Sequence, residues 1–149
     1  MVGGDNIIYE NSVIESIRAR FQEKGSPSKI PLIKGNRCFS ATMKNDGIYV
    51  DNLNTQPFLP WVVFVETVKL ITIKGGKALK GDAMNSKLGS GNLLLDSIEG
   101  YIACSIYGKK INDSVFRRIS PIAGILIWAS ICRNEPGYLV LNDSKQNIL

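Results

Sequence analysis

Residues 97–141 read SIEGYIACSIYGKKINDSVFRRISPIAGILIWASICRNEPGYLVL, and the order of elements in this stretch decides the fold. Asp96 or Ser97 stands where a helix N-cap belongs, ahead of Ile98, Ile102 and Ile106 at helical spacing with Ala103 alongside, and Gly108 closes the helix. Lys109–Asn112 is expected to be a short turn. Asp113 or Ser114 then caps a second helix through Val115, Phe116, Arg117, Arg118, Ile119, Ile122, Ile125 and Leu126 to about Cys132. Pro121 falls inside it. Interior proline costs a helix about 3 kcal/mol, so either the helix kinks or Ser120 caps a separate helix that begins at Pro121. Arg133-Asn134-Glu135-Pro136-Gly137 is rich in turn formers and leads into Tyr138-Leu139-Val140-Leu141, which reads as a strand.

Upstream, Asp5 is placed to cap a first helix to about Lys24, with Ile7, Ile14, Ile17 and Phe21 along one stripe and Gly25 just past the end. Met1–Gly4 and Asn142–Leu149 are expected to fray. Lys29–Lys34 and Arg37–Lys44 are strand-like, and Lys44-Asn45-Asp46-Gly47 supplies a hairpin turn to a returning strand, Ile48–Asp51. Pro60 suits the first position of a helix from about Leu59 to Lys74, which Gly75 and Gly76 stop. That helix is apolar nearly all round, as a central core helix would be, although its β-branched content leaves a buried strand over Trp61–Val65 as the competing reading. Gly75–Asp96 carries Lys77, Lys80, Lys87 and five glycines with little periodicity, so it is expected to be a long loop with room for a short helix near Asp82–Leu88.

Composition narrows the chemistry. At 149 residues the chain is the size of one domain, and folding at that length buries roughly 68 to 70 % of the unfolded surface. The apolar runs Phe58–Leu70 and Ile119–Cys132 fall short of the ~20 residues a membrane span needs, and the N-terminus lacks the pattern of a secretory signal; a cytoplasmic protein with no membrane partner is expected. Cys38, Cys104 and Cys132 are too few and too widely spaced for a disulfide framework or a zinc site, which points to buried free thiols. The chain has no histidine, which removes the commonest general base and the commonest transition-metal ligand. A net charge of +5 favours polyanionic partners.

The order helix, short turn, helix, strand, tight turn, strand has Glu99-Gly100-Tyr101-Ile102-Ala103 in its first helix. Ser114-Val115-Phe116-Arg117-Arg118 opens its second, and Ile131–Leu141 forms its wing. This pattern resembles the winged helix-turn-helix superfamily. Together the elements predict an α+β fold in one domain over residues 1–149: an N-terminal helix, a small antiparallel β-hairpin, a central apolar helix and, as the resemblance implies, a C-terminal winged-helix-like unit at about 97–141. The resemblance also implies a non-enzymatic DNA-binding protein whose second helix enters the major groove of double-stranded DNA, with Arg117 or Arg118 donating two hydrogen bonds to guanine O6 and N7. Ser114 and the helix N-terminus would hold a phosphate, and Lys109, Lys110 and Arg133 would stand beside it, with Lys77, Lys80 and Lys87 adding phosphate contacts from the long loop. The plainer reading makes these residues a solvated face. Winged-helix domains also serve as protein-interaction or homodimer modules, and that is the alternative function.

Other chemistry finds less support. Gly76-Lys77-Ala78-Leu79-Lys80-Gly81-Asp82 lacks the terminal Lys-Ser or Lys-Thr of a P-loop, and no cofactor motif is present. Asp46, Asp51, Glu66 and Lys69 do not have the arrangement of a metal-dependent nuclease, and no metal site is expected. Trp61 and Trp128 read as core residues. An enzyme would need a pocket holding a carboxylate of raised pKa.

Overall fold

The computed structural model describes the backbone of residues 2–142 and the side chains of residues 12–142. Its elements are α1 (Val2–Lys24), β1 (Ser28–Pro31), β2 (Cys38–Met43), β3 (Gly47–Val50), β4 (Phe58–Pro60), α2 (Trp61–Ile73), β5 (Lys77–Leu79), α3 (Ile98–Ser105), α4 (Ile119–Trp128), β6 (Cys132–Glu135) and β7 (Tyr138–Leu141). The class is α+β, with two antiparallel sheets ordered β1-β2-β3-β4 and β5-β7-β6.

Local chemistry seeds the first sheet. Lys44-Asn45-Asp46 turns β2 into β3, with Lys44 N–H donating to Gly47 O at 2.8 Å and Met43 opposite Ile48. Phe39 and Ala41 of β2, with Ile48 and Val50 of β3, point into the core at alternate positions. Around this expected hairpin the structure adds β1, where Ile30 pairs with Phe39, and β4, where Leu59 pairs with Ile48. β4 takes up Leu59 and Pro60, so the next helix starts at Trp61 with Pro60 as its N-cap, not at Leu59. No strand forms over Trp61–Val65. Those residues open α2, which buries Val63, Phe64, Val65, Val68, Leu70 and Ile71, because elements surround it on most sides and packing outweighs β-branched preference.

Helix α1 begins at Val2, which places Asp5 inside the helix and not at its cap. Val13, Ile17 and Phe21 carry its buried stripe, with Ile14 half-buried; the side chain of Ile7 and the whole of Asp143–Leu149 lie outside the described residues.

The C-terminal third departs from expectation at its centre. α3 ends at Ser105 and α4 does not begin until Ile119, so residues 106–118 form an extended connection in place of a short turn and a helix opening at Ser114. Pro121 supplies the physical reason: it sits in the first turn of α4, where its missing N–H breaks no helical bond. β7 forms over Tyr138–Leu141 as read, but α4 ends at Trp128 and the residues expected to be helix end and turn supply β6, its antiparallel partner, with the turn confined to Pro136-Gly137 and Gly137 at φ 79°. The segment expected to be wholly loop contributes β5, with Ala78 opposite Leu139 of β7, and Asp82–Leu88 contains a turn but no helix.

One core joins these parts. Ile17, Phe21, Ile30, Phe64, Ile122 and Leu139 belong to a single buried cluster, while Ala83, Leu88, Leu93, Ala103 and Val115 form a smaller one that pins the long loop to α3. The middle of α4 lies against the first sheet so closely that a Cβ on Gly124 would stand 2.8 Å from Phe39 Cε1. Cys132 is buried, but Cys38 and Cys104 are exposed, contrary to the expectation for three buried thiols; all three are free. Among the described residues no helix is long and apolar enough to cross a membrane.

Candidate nucleic-acid interface

A cleft of about 960 Å³ opens where the β1–β2 turn, the chain after β5, the N-terminal end of α4 and the tip of the β6–β7 hairpin converge. Four cations line it: Lys34 and Arg37 from the β1–β2 turn, Lys80 after β5, and Arg117 just before α4. Asp82 is the acidic residue in the lining, and its carboxylate accepts from Asn85 N–H at 3.3 Å in its own turn. Lys80 Nζ donates to Asn134 Oδ1 of β6, and Arg117 Nη1 stands 3.0 Å from Met84 Sδ. Burial, and after it repulsion from Lys34, holds the Lys80 ammonium below the ordinary lysine range. The two lysines are therefore close enough to feel each other. Gly81 fits here at φ 88°, where a Cβ would meet Ser97 Oγ at 2.6 Å.

Glu99 sets the spacing between two sides of this cleft. Its backbone N–H donates to Lys80 O at 3.0 Å, and its carboxylate accepts from Arg118 N–H at 2.7 Å at the start of α4. The carboxylate is buried, and Oε2 has no hydrogen-bond partner among the described residues. Burial pushes its pKa up to about 7, against the opposing pull of the Arg118 and Ile119 N–H groups and of the Arg118 and Arg117 charges. Glu99 does not line the cleft, so it is not a carboxylate presented to a ligand.

Arg118 does not face a groove. It is 3 % exposed, its guanidinium carbon lies 3.6 Å from the centre of the Tyr107 ring, and Nη2 donates to Gln56 Oε1 in the β3–β4 loop. Its expected role as a reader of base edges fails because no helix forms over 114–118 and the Arg118 side chain is buried against Tyr107 and Gln56, while Arg117 beside it is exposed. Ser114 likewise opens no helix; its hydroxyl accepts from Lys87 Nζ at 2.6 Å.

The remaining sequence candidates scatter. Lys77 pairs with Glu135 at 3.2 Å and covers the Tyr138 ring, Lys109 lies over Phe116, and Arg133 donates to Leu141 O at 3.0 Å. Lys110 is exposed outside the cleft lining. Of the nine basic and hydroxyl residues singled out in the sequence, the cleft gathers Arg117 and Lys80. It adds Lys34 and Arg37, whose sequence signal is a turn, Lys34-Gly35-Asn36-Arg37, with a cation at each end. Among the described residues there is no cluster of three His, Cys, Asp or Glu side chains able to hold a metal ion.

No protein-family model, curated protein or solved structure matches this chain. The cleft's own chemistry is what bears on its use.

Proposed function

We propose that this protein binds nucleic acid, without catalysis, by gripping the sugar–phosphate backbone in the cationic cleft. The observation that carries the reading is the convergence of Lys34, Arg37, Lys80 and Arg117 from three separate parts of the chain on one concavity whose single carboxylate among the described residues is already engaged. The wing of the winged-helix resemblance would take part through Gly137, which lines the cleft, and through Asn134, which accepts from Lys80 Nζ. The middle of α4 does not serve as a recognition helix, since Phe39 packs against it. Phosphate contacts of this kind position a strand and carry no sequence information, so weak sequence preference is expected. A cytoplasmic setting agrees with this use.

Salt dependence is the test. Fluorescence anisotropy with labelled random-sequence duplex and single-stranded oligonucleotides should show binding that weakens with a log–log salt slope of about −3 for three or four neutralised phosphates. The triple variant Lys34→Ala, Lys80→Ala, Arg117→Ala should lose it. Binding that ignores salt, or that survives the triple change, contradicts the proposal. The alternative, a protein-interaction or homodimer module, draws on the exposed Val62 and Ile73 of α2; sedimentation showing a salt-indifferent dimer would move the weight there.

A further inference from the structure

The cleft's cations are matched by apolar walls. Ile33, Leu79, Met84 and Leu94 line it at 38 %, 38 %, 66 % and 38 % exposure, so large hydrophobic side chains otherwise left in water are concentrated beside the four positive charges. A ligand that offers only phosphates satisfies the cations and leaves these walls unburied. Double-stranded DNA is such a ligand: its bases are stacked inside, and reading their edges requires a helix or a two-stranded ribbon inserted into the major groove. α4 cannot supply that, because Phe39 covers its Gly124 face and only its N-terminal end reaches the cleft. An unpaired strand differs in the one respect that matters here, since its bases swing free of the backbone and present flat, weakly hydrated faces.

Resting on the nucleic-acid reading above, we infer that the cleft takes an unpaired strand, with phosphates on Lys34, Arg37 and Lys80 and a base laid against Met84 and Leu94 beside the Arg117 guanidinium. The planar Arg117 group, 3.0 Å from Met84 Sδ, is the stacking surface in a cleft whose lining, among the described residues, contains no aromatic ring. Guanidinium planes take bases in this way, and at an exposed site such a contact is worth roughly two- to fivefold in affinity.

The experiment compares a labelled twelve-nucleotide oligothymidylate with a blunt duplex of equal length, by anisotropy at 50 and 200 mM sodium chloride, using the full chain. The inference expects the single strand to bind about two- to fivefold more tightly or better. Arg117→Lys, which keeps the charge and removes the plane, should cut single-strand affinity several-fold and leave duplex affinity unchanged. Met84→Ala with Leu94→Ala should do the same, with thermal melts confirming that both variants fold. Equal or tighter duplex binding overturns the inference and leaves the nucleic-acid reading standing, as does a single-strand preference that survives both variants. Displacement of the oligonucleotide by polyglutamate of equal length and concentration also overturns it, because the cleft would then read charge alone. Failure of both oligonucleotides to bind at 50 mM salt overturns the function and the inference together.

Discussion

Arg117 and Arg118 are neighbours in sequence and opposites in the fold. Arg117 stands exposed at the wall of the cleft, in contact with Met84, whereas Arg118 is sunk between Tyr107, Gln56 and the backbone that Glu99 caps. The first is free to meet an anion from outside. The second already has its partners, and they come from the β3–β4 loop, the extended 106–118 connection and α3. The difference teaches that a positive charge in a binding pattern is informative only once its burial is known: one arginine of the pair is open to the cleft, the other a rivet between the β3–β4 loop, the 106–118 connection and α3.

The largest expected effect is on the rivet. Arg118→Ala removes the stacking on the Tyr107 ring, leaves Gln56 Oε1 without its donor and empties a buried site, so stability should fall by about 3 kcal/mol in urea unfolding. Arg117→Ala, at an exposed site, should change stability by no more than about 0.5 kcal/mol. Equal losses for the two would erase the distinction.

Protonation of Glu99 gives the next effect. Its pKa of about 7 in the folded chain lies above the ordinary 4.5, so the folded state holds the proton more tightly than the unfolded state does. The stabilising contribution is fully present below pH 4.5 and is lost as the pH rises through about 7, an amount on the order of 3 kcal/mol for this group. Melting of Glu99→Gln between pH 5 and 8 should be flatter than melting of the natural chain. A parallel pair of curves would mean that Glu99 is ionised throughout, with its charge compensated.

A third expected effect concerns the cover over α4. Gly124→Ala places a methyl 2.8 Å from Phe39 Cε1, and overpacking of this kind costs about 1–3 kcal/mol; Phe39→Leu in the same chain should recover part of it. Additive losses in the double variant would show that the two residues do not touch in solution.

The smallest effect is the most specific. Lys34→Ala and Lys80→Ala should each reduce the salt slope of nucleic-acid binding by about 1, while Lys109→Ala and Lys110→Ala leave it unchanged.

What the sequence made legible was local. Asn45-Asp46-Gly47 announces its hairpin because turn chemistry acts over four residues, and Tyr138–Leu141 reads as a strand for a similar reason. β4 and β5 are three residues each and have no period of their own; β5 exists because β7 lies beside it, some sixty residues further along the chain. Ser114 looked like a helix cap, but Pro121 fits the first turn of a helix and so draws the start of α4 to Ile119. The site was legible at Arg117 and Lys80 as charge alone. Lys34 and Arg37 join them only through the path of the β1–β2 turn, and the burial of Arg118 depends on Gln56 and Tyr107, which no spacing rule connects to it.

The measurement that tests the central claim most directly is a map of amide chemical shifts during titration with a short oligonucleotide. The account predicts shifts that change together, and reverse with added salt, at residues 32–37, 79–85, 117–120 and 134–137, with Lys109 and Lys110 silent. Shifts confined to 109–118, or spread over the exposed face of α2, would contradict the cleft as the place where this protein meets its partner.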